Sequence, residues 1–199
     1  YGLPVCEVAL SVGASDSRSS SDARWAVVEV SSFMMETTEL PADTFEAAAI
    51  LNLQEDHLDR HGSVEVYHGL KRKLLTMAKA GSCGAETAPP HDGEATPWAG
   101  SYFDNEILAG NAAMAEELMR AAGLDDAVIG RAFREFEPLP HRMNLVAETD
   151  GIRCIDDSKA TSIAALVAGV KMASSGTQAL KHSSTRAILL IAGGLPKGD

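Results

Sequence analysis

The sequence is poor in cysteine, in basic residues and in long apolar stretches, and each shortage excludes a class of protein. The 3 cysteines in 199 residues are too few and too widely spaced for a disulfide framework or a zinc cluster, so we expect reduced thiols in a cytoplasmic protein. Lysine and arginine total 17 against 28 acidic residues. This balance argues against nucleic-acid binding, which needs basic surface to neutralise phosphates.

Membrane and secretion signals are also missing. No apolar run approaches the roughly 20 residues that cross a bilayer, so we expect no membrane insertion. The first ten residues, YGLPVCEVAL, carry neither a basic region nor a cleavage pattern, so we expect no signal peptide. Because the sequence starts without methionine, as if within an element, we expect a fragment.

The apolar pattern of the first part predicts an α/β fold. Short apolar runs at 24–30, 46–53 and 186–194 are typical of buried strands. A brief serine-capped helix is predicted after the first run, and a longer helix capped by Ser63 after the second. Strands that lead into loops and helices indicate parallel βαβ units. In such sheets, sites lie beyond the carboxyl ends of the strands.

The middle of the sequence changes character. Glycine, proline and small polar residues make 81–108 loop-rich. Helical patterns resume over 109–122 and 126–136.

A domain boundary is predicted at the proline-rich PLP of 138–140, because proline interrupts helices. Beyond it, 143–158 is typical of a β-hairpin with Asp150-Gly151 at its turn, and 161–173 of a helix. We therefore expect two partial domains, 1–137 and 138–199.

The charged motif DHLDRH at 56–61 follows the second predicted strand. His57 could bind a metal as a neutral imidazole, with a neighbouring carboxylate to orient it. The spacing matches no zinc pattern, so a hard cation with phosphate is favoured. The alternative, which composition alone favours, is a polar loop that caps the next helix.

Two further charged residues have competing interpretations. Glu29 ends the first predicted strand, where an unpaired buried carboxylate is costly, so it should pair with a metal or an arginine, or simply be a paired structural residue. Lys71 lies in LKRK on the predicted helix. Three adjacent cations usually mark a solvated face, and the alternative is a lysine turned toward the strand ends.

Two junctions after strands have the composition of anion sites. DDSKAT at 156–161 places carboxylates, a lysine and a hydroxyl before a helix, where free backbone N–H groups bind anions. Simple N-capping by Ser158 or Asp157 is the alternative. GGLPKG at 193–198 places Lys197 after a strand in a similar way. No G-x-x-x-x-G-K-[ST] phosphate loop occurs in the sequence.

In this order, the motifs resemble the Mur ligase family, and within it the members that add D-glutamate. DHLDRH followed by Y-x-x-x-K is shared across the family, whereas SSF-x-x-E-T, LPHR and DSKAT point to the D-glutamate-adding members. The segments that carry the resemblance are VEVSSFMMETT (28–38), ILNLQEDHLDRHGSVEVYHGLKRKLL (50–75), LPHR (139–142), IDDSKATS (155–162) and LLIAGGLPKG (189–198).

The resemblance implies part of a central ATPase domain, a mostly parallel sheet with helices, followed by the start of a Rossmann-like C-terminal domain. It implies a monomeric, ATP-dependent ligase that joins D-glutamate to UDP-N-acetylmuramoyl-L-alanine through an acyl phosphate in peptidoglycan biosynthesis. Mg²⁺ would be the cofactor and ATP a substrate. The chain alone is expected to be inactive, because nothing in it can cradle the β- and γ-phosphates.

The resemblance also implies roles for individual residues. Glu29, His57 and Lys71 match the magnesium ligands, Lys71 as a carbamate formed with carbon dioxide. The family's G-x-H-N-x-x-N-A motif is incomplete, because its His-Asn pair is absent and Asn111 matches only the second asparagine. The remaining implied residues are Arg142 and Asp157 for ATP, Thr161 and Lys197 for substrate, and Lys159, which would be catalytic together with His57 and Lys71.

Two alternatives stay open. One is a truncated or degenerate homologue that only binds a nucleotide or a partner. The other is a related ligase of the same superfamily, such as one that adds a diamino acid or a folate glutamate.

Overall fold

A computed structural model describes residues 25–79, 83–84, 96–174 and 187–193. The chain divides into two units, Tyr1–Thr38 and Glu39–Asp199, and each is described by itself. The described residues form six α-helices, one 3₁₀ helix and four short strands. The α/β class expected from the sequence is therefore confirmed.

The first unit contains helix α1, Ser32–Thr37. The Ser31 side chain accepts a hydrogen bond from the Met34 N–H at 3.3 Å, which satisfies one of the unpaired N–H groups of the first turn. Met35 is buried. The predicted serine-capped helix is confirmed.

The strand predicted over 24–30 is wrong for the residues that the structure describes. Residues 25–31 form neither helix nor strand, and Trp25 and Val27 are 52% and 98% exposed. A strand needs a neighbour for its hydrogen bonds, and no strand pairs with this segment in the described part of the unit.

The second unit opens with a parallel β-helix-β arrangement. Strand β1, Ala49–Ile50, pairs in parallel with β2, Cys83–Gly84. Between them lie α2, Leu58–His61, α3, Val64–Lys73, and a 3₁₀ helix, Leu74–Met77. The predicted parallel unit is confirmed, although β1 is much shorter than 46–53.

Helix α3 begins where the sequence predicts. The Ser63 side chain accepts a hydrogen bond from the Val66 N–H at 3.3 Å. Tyr67 and Met77 are buried, which fixes one face of α3 and its 3₁₀ extension against the unit. Val66, in the first turn of the helix, is 51% exposed.

Helices α4, Ala109–Ala121, and α5, Asp126–Glu135, match the predicted helical segments. The turns of 96–108 pack onto them, so part of the segment predicted as loop-rich contributes to the core. The residues of this first core cluster are Trp98, Ala112, Ala113, Ile129 and Phe133, with Phe103, Ala115 and Met119 packed against it.

The predicted hairpin is confirmed. Strand β3, Asn144–Thr149, pairs antiparallel with β4, Ile152–Asp156. Asp150 and Gly151 have φ angles of 51° and 77°, the left-handed pair that a tight two-residue turn requires. Helix α6, Ile163–Ser174, follows and matches the predicted helix.

A second core cluster joins this hairpin and α6 to the segment before α4. Met143 and Met172 are buried at its centre. The residues packed against them are Tyr102, Ile107, Leu108, Ile155 and Ala173. The cluster thus contains residues from both sides of position 138, while the division into domains 1–137 and 138–199 stays a prediction.

The strand predicted over 186–194 is wrong for the described residues 187–193, which form neither helix nor strand. Leu189 and Ile191 are 90% and 92% exposed, and no strand in the described residues pairs with them. None of the described helices is long and apolar enough to cross a membrane.

Candidate functional site

The DHLDRH motif forms the loop and short helix that connect β1 to α3. His57 adopts the left-handed conformation, with φ 55°. Its backbone N–H donates a hydrogen bond to Asp56 Oδ1 at 2.8 Å, and its Nε2 lies 3.6 Å from Asp56 Oδ2. The neighbouring carboxylate therefore holds the backbone of His57 by a hydrogen bond and lies close to its ring.

Lys71 points toward the end of β1. Its Nζ donates hydrogen bonds to the Asn52 backbone oxygen at 2.8 Å and to Asn52 Oδ1 at 3.4 Å. Asn52 lies two residues beyond the last residue of β1. The other described lysine of LKRK, Lys73, faces Glu39 at 3.8 Å instead. Of the two orientations that the sequence left open, Lys71 has the inward one.

Tyr67 brings His57 and Lys71 together. Its ring lies 6.4 Å from the His57 ring, edge to face, and 4.7 Å from Lys71 Nζ. Lys71 is thus placed for a cation–π contact. We call Asn52, Asp56, His57, Tyr67 and Lys71 the Tyr67 cluster.

Tyr67 is the tyrosine of the Y-x-x-x-K motif, and no role was predicted for it from the sequence. The available signal was its spacing, because residues four apart on a helix are neighbours on one face. Tyr67 is 6% exposed and also stacks on the His61 ring, with centroids 5.4 Å apart. The Tyr67 ring is therefore held in place by the residues around it.

The chemistry of the Tyr67 cluster sets a condition on a bound metal. Mg²⁺ prefers oxygen ligands, and an amine that donates hydrogen bonds offers none. Among the described residues, no group of three or more histidine, cysteine, aspartate or glutamate side chains is placed to hold a metal. A carbamate on Lys71 would supply anionic oxygens, so magnesium binding here depends on that modification and stays a prediction.

Glu29 belongs to the other unit, and its side chain is exposed. The argument that a buried Glu29 must find a cation is therefore wrong, because water solvates this carboxylate. Its role as a magnesium ligand stays a prediction.

A second group of predicted site residues surrounds the loop before β3. His141, with φ 67°, places its Nδ1 2.6 Å from Asp156 Oδ2, and the carboxylate accepts this hydrogen bond. The Lys159 backbone N–H donates to the His141 backbone oxygen at 3.1 Å. The LPHR loop is thereby tied to the end of β4.

The His141 contact predicts a dependence of stability on acidity. It lowers the pKa of Asp156 to about 2, from 3.8, with help from the Ser158 N–H. A lowered carboxyl pKa stabilises the fold above pH 3.8, and this contribution disappears as the pH falls through about 2. In unfolding experiments from pH 5 to pH 2, wild type should lose its advantage over Asp156→Asn. With His141→Ala in both proteins, the difference at pH 5 should be smaller, and an unchanged difference at pH 5 would contradict the assignment.

Asp157 and Arg142 are also brought within reach of each other's charge. Asp157 Oδ1 accepts a hydrogen bond from the Met143 N–H at 3.1 Å. Burial raises the pKa of Asp157, and the Met143 N–H and the positive charge of Arg142 partly oppose it. The Arg142 N–H donates to Asn144 Oδ1 at 2.9 Å, and its side chain is exposed.

Neither residue proposed as the cap of the following helix has that role. The Ser162 side chain accepts from the Ala165 N–H at 3.2 Å and caps α6. Asp157 instead holds the loop, and the Ser158 N–H donates to Asp156 Oδ1 at 3.0 Å. The simple capping explanation of DDSKAT is therefore wrong for Ser158 and Asp157.

The other predicted residues are distributed along the same unit. Asn111 is half-buried in the first turn of α4. Thr161 is exposed between β4 and α6, and the Lys159 side chain is exposed before it. Lys197 lies outside the described residues.

Tyr102 lies beside Asp157 and Arg142 and was missed by the sequence analysis. Burial raises the pKa of its phenol, the negative charge of Asp157 raises it further, and Arg142 opposes the shift. The sequence offered one weak indication of Tyr102. Aromatic residues make up only 5% of the chain, so an aromatic residue in a predicted loop is unusual.

Comparisons with known proteins agree with these motifs. Residues 10–85 match the model of the Mur ligase middle domain. A UDP-N-acetylmuramoylalanine--D-glutamate ligase of Methylobacillus flagellatus is 32% identical over 87% of this chain and 44% of its own length. Ligases of the same name from Chromohalobacter salexigens and Hahella chejuensis are 33% and 34% identical, over 90% and 87% of this chain and 45% of their own lengths.

The chain spans less than half the length of these curated relatives. The domain match covers the Tyr67 cluster, and the matches to the relatives cover most of the chain. Residues 10–85 thus match a Mur ligase middle domain, and most of the chain is similar to ligases of that family.

Proposed function

We propose that the protein containing this chain is an ATP-dependent ligase that joins D-glutamate to UDP-N-acetylmuramoyl-L-alanine. The proposal places it in the cytoplasmic part of peptidoglycan biosynthesis, and it is expected to act as a monomer. The similarity to D-glutamate-adding ligases supports these substrates.

The observation that carries the proposal is the closure of the LPHR loop on the end of β4. His141 binds Asp156 and the Met143 N–H binds Asp157, so the loop that carries Arg142 is held against the turn that carries Asp157. A guanidinium suits phosphate oxygens, and a carboxylate suits ribose hydroxyls. This arrangement is suited to holding two parts of one nucleotide.

The proposed chemistry has two steps. The carboxylate of the UDP-linked substrate attacks the γ-phosphorus of ATP, so that an acyl phosphate forms and ADP leaves. The amine of D-glutamate then attacks the acyl carbon, the amide forms, and phosphate leaves with the bonding electrons while the amine loses a proton. Negative charge grows on phosphate oxygens in both steps, and fixed cations stabilise it.

The residues divide between these tasks. His57 and Lys71, the latter as its carbamate, would hold Mg²⁺, and a magnesium ion would neutralise phosphate charge. The assignment of Glu29 as a further magnesium ligand rests on the resemblance of the sequence motif alone. Lys159 would act on the transferred phosphate, and Thr161 and Lys197 would contact D-glutamate. Asn111 would contact ATP from α4.

The test is phosphate release by the whole protein that contains this chain. With ATP, Mg²⁺ and UDP-N-acetylmuramoyl-L-alanine, release should require D-glutamate, and L-glutamate, L-lysine and meso-diaminopimelate should not replace it. Phosphate release that requires a diamino acid instead would indicate that the protein is a different ligase of the same superfamily. Magnesium-dependent ATP binding without release by folded protein would favour the homologue that only binds.

A further inference from the structure

Two aromatic rings form a surface that no role assigned above uses. The Tyr102 and Phe136 ring centroids lie 5.7 Å apart, with the planes tilted by 36°. Tyr102 is half-buried, whereas Phe136 is 43% exposed. We call these two side chains the aromatic ledge.

The aromatic ledge is supported from behind. Phe103 lies 4.7 Å from Phe136 and 5.5 Å from Phe133, between centroids. Tyr102 packs against the cluster centred on Met143. The rings are therefore held in place without a ligand, and binding on them costs little ordering.

The exposed part of the aromatic ledge favours contact with an apolar, flat partner. An exposed phenylalanine gains free energy when its surface leaves water. A ring face with partial negative charge accepts another ring by offset stacking. Nucleic-acid bases are partners of this kind, since every base has a flat π face.

The position of the ledge identifies which flat partner fits. The charges of Asp157 and Arg142 both act on the Tyr102 phenol. Tyr102 packs against the cluster centred on Met143, and the Met143 N–H donates a hydrogen bond to Asp157. The ledge thus adjoins side chains suited to the ribose and phosphates of a nucleotide.

We propose that Tyr102 and Phe136 form the stacking surface for the purine base of the bound nucleotide. This inference rests on the proposed function, because that function assigns Arg142 and Asp157 to ATP. The ledge would replace base contacts that the missing His-Asn pair does not provide. Stacking depends on ring area, so purine nucleotides should bind more tightly than pyrimidine nucleotides.

The test compares nucleotides with a ligand that has no base. Binding of Mg-ATP, Mg-CTP and Mg-tripolyphosphate is measured by calorimetry on the whole protein that contains this chain. Tyr102→Leu and Phe136→Leu should each weaken ATP binding about tenfold and leave tripolyphosphate binding unchanged. Tyr102→Phe and Phe136→Trp keep an aromatic face and should retain ATP affinity.

A spectroscopic signature separates stacking from a general structural effect. On binding to wild type, the adenine H2 and H8 proton resonances should shift upfield through the ring currents of Tyr102 and Phe136. Phe136→Leu should remove much of this shift, and the exposure of Phe136 makes loss of folding an unsuitable explanation. Equal loss of ATP and tripolyphosphate affinity, or no upfield shift in wild type, would overturn the proposal.

The outcomes distinguish this inference from the function on which it rests. If ATP stacks on the ledge but D-glutamate-dependent phosphate release is absent, the ligase function fails and the ledge stands. If release occurs while both leucine variants bind ATP normally, the ledge fails and the ligase stands. If wild type binds no ATP, both are overturned.

Discussion

Replacing Lys71 by alanine is expected to reduce D-glutamate-dependent phosphate release by at least about 100-fold, a loss of the size seen when one fixed electrostatic contact is removed from an active site. Lys71 lies at the end of β1, 2.8 Å from the Asn52 oxygen and over the Tyr67 ring. The measurement is initial phosphate release by the whole protein at saturating ATP and Mg²⁺.

The matched control is Lys73→Ala on the same helix. Lys73 faces Glu39, whose side chain is 89% exposed, so its removal should leave release near the wild-type rate. Equal losses in Lys71→Ala and Lys73→Ala would indicate that the charge of the helix matters and the position of Lys71 does not.

Two further experiments distinguish a carbamate on Lys71 from an unmodified lysine cation. Lys71→Arg keeps the positive charge but has no primary amine to react with carbon dioxide, so it should be as inactive as the alanine variant. Acetate or formate should restore part of the activity of Lys71→Ala, since a small carboxylate can supply the missing oxygens. An active Lys71→Arg variant would contradict the carbamate.

Replacing Gly169 by alanine is expected to destabilise the fold by about 1–3 kcal/mol, the usual cost of inserting a methyl group into a filled space, and to weaken ATP binding. A β-carbon on Gly169 would lie 2.5 Å from Asp157 Oδ2 and 3.5 Å from Met143 Sδ. Asp157 is held on its other side by the Met143 N–H, so it has little room to retreat. Urea unfolding and ATP titration of the same protein measure the two effects.

Gly69→Ala is the matched control for this prediction. Gly69 lies within α3, and nothing would lie within 4 Å of its new β-carbon. Alanine should there stabilise the helix by roughly 0.5–1 kcal/mol, because glycine is the poorer helix former. If Gly169→Ala were as stable as Gly69→Ala, the contact with Asp157 would not be tight.

A double variant tests the cause. In Asp157→Ser, the shorter side chain makes room for the β-carbon, so adding Gly169→Ala should cost much less than it does in wild type. This non-additivity is the sign of direct contact between two positions. If the stability losses of the two single variants were additive in the double variant, the strain caused by Gly169→Ala would not come from contact with Asp157.

The helices and the hairpin could be predicted because their signals are local. Ser63 and Asp150-Gly151 each specify a backbone conformation within a few residues. The strands predicted over 24–30 and 186–194 did not form in the described residues, because an apolar run needs a neighbouring strand that local sequence does not reveal. Pairing partners are a property of the whole fold.

The candidate site divides in the same way. The motifs predicted His57, Lys71, Arg142 and Asp157 as candidate site residues. The sequence left the orientation of Lys71 open, because Lys71 is one of three adjacent cations. The contact of Asp157 with the Met143 N–H joins residues 14 positions apart, across a hairpin whose register had to be known first. Tyr102 was missed because its neighbours come from distant segments.

The two hydrogen bonds that close the LPHR loop have a consequence for the order of folding. They link residues only 15 and 14 positions apart, and the β3–β4 turn lies between them. Short loops cost little closure entropy, and local contacts form early. The LPHR loop should therefore assemble with its hairpin on the microsecond scale typical of hairpins. The parallel pairing of β1 with β2, whose partners are 34 positions apart in Ala49 and Cys83, should complete later.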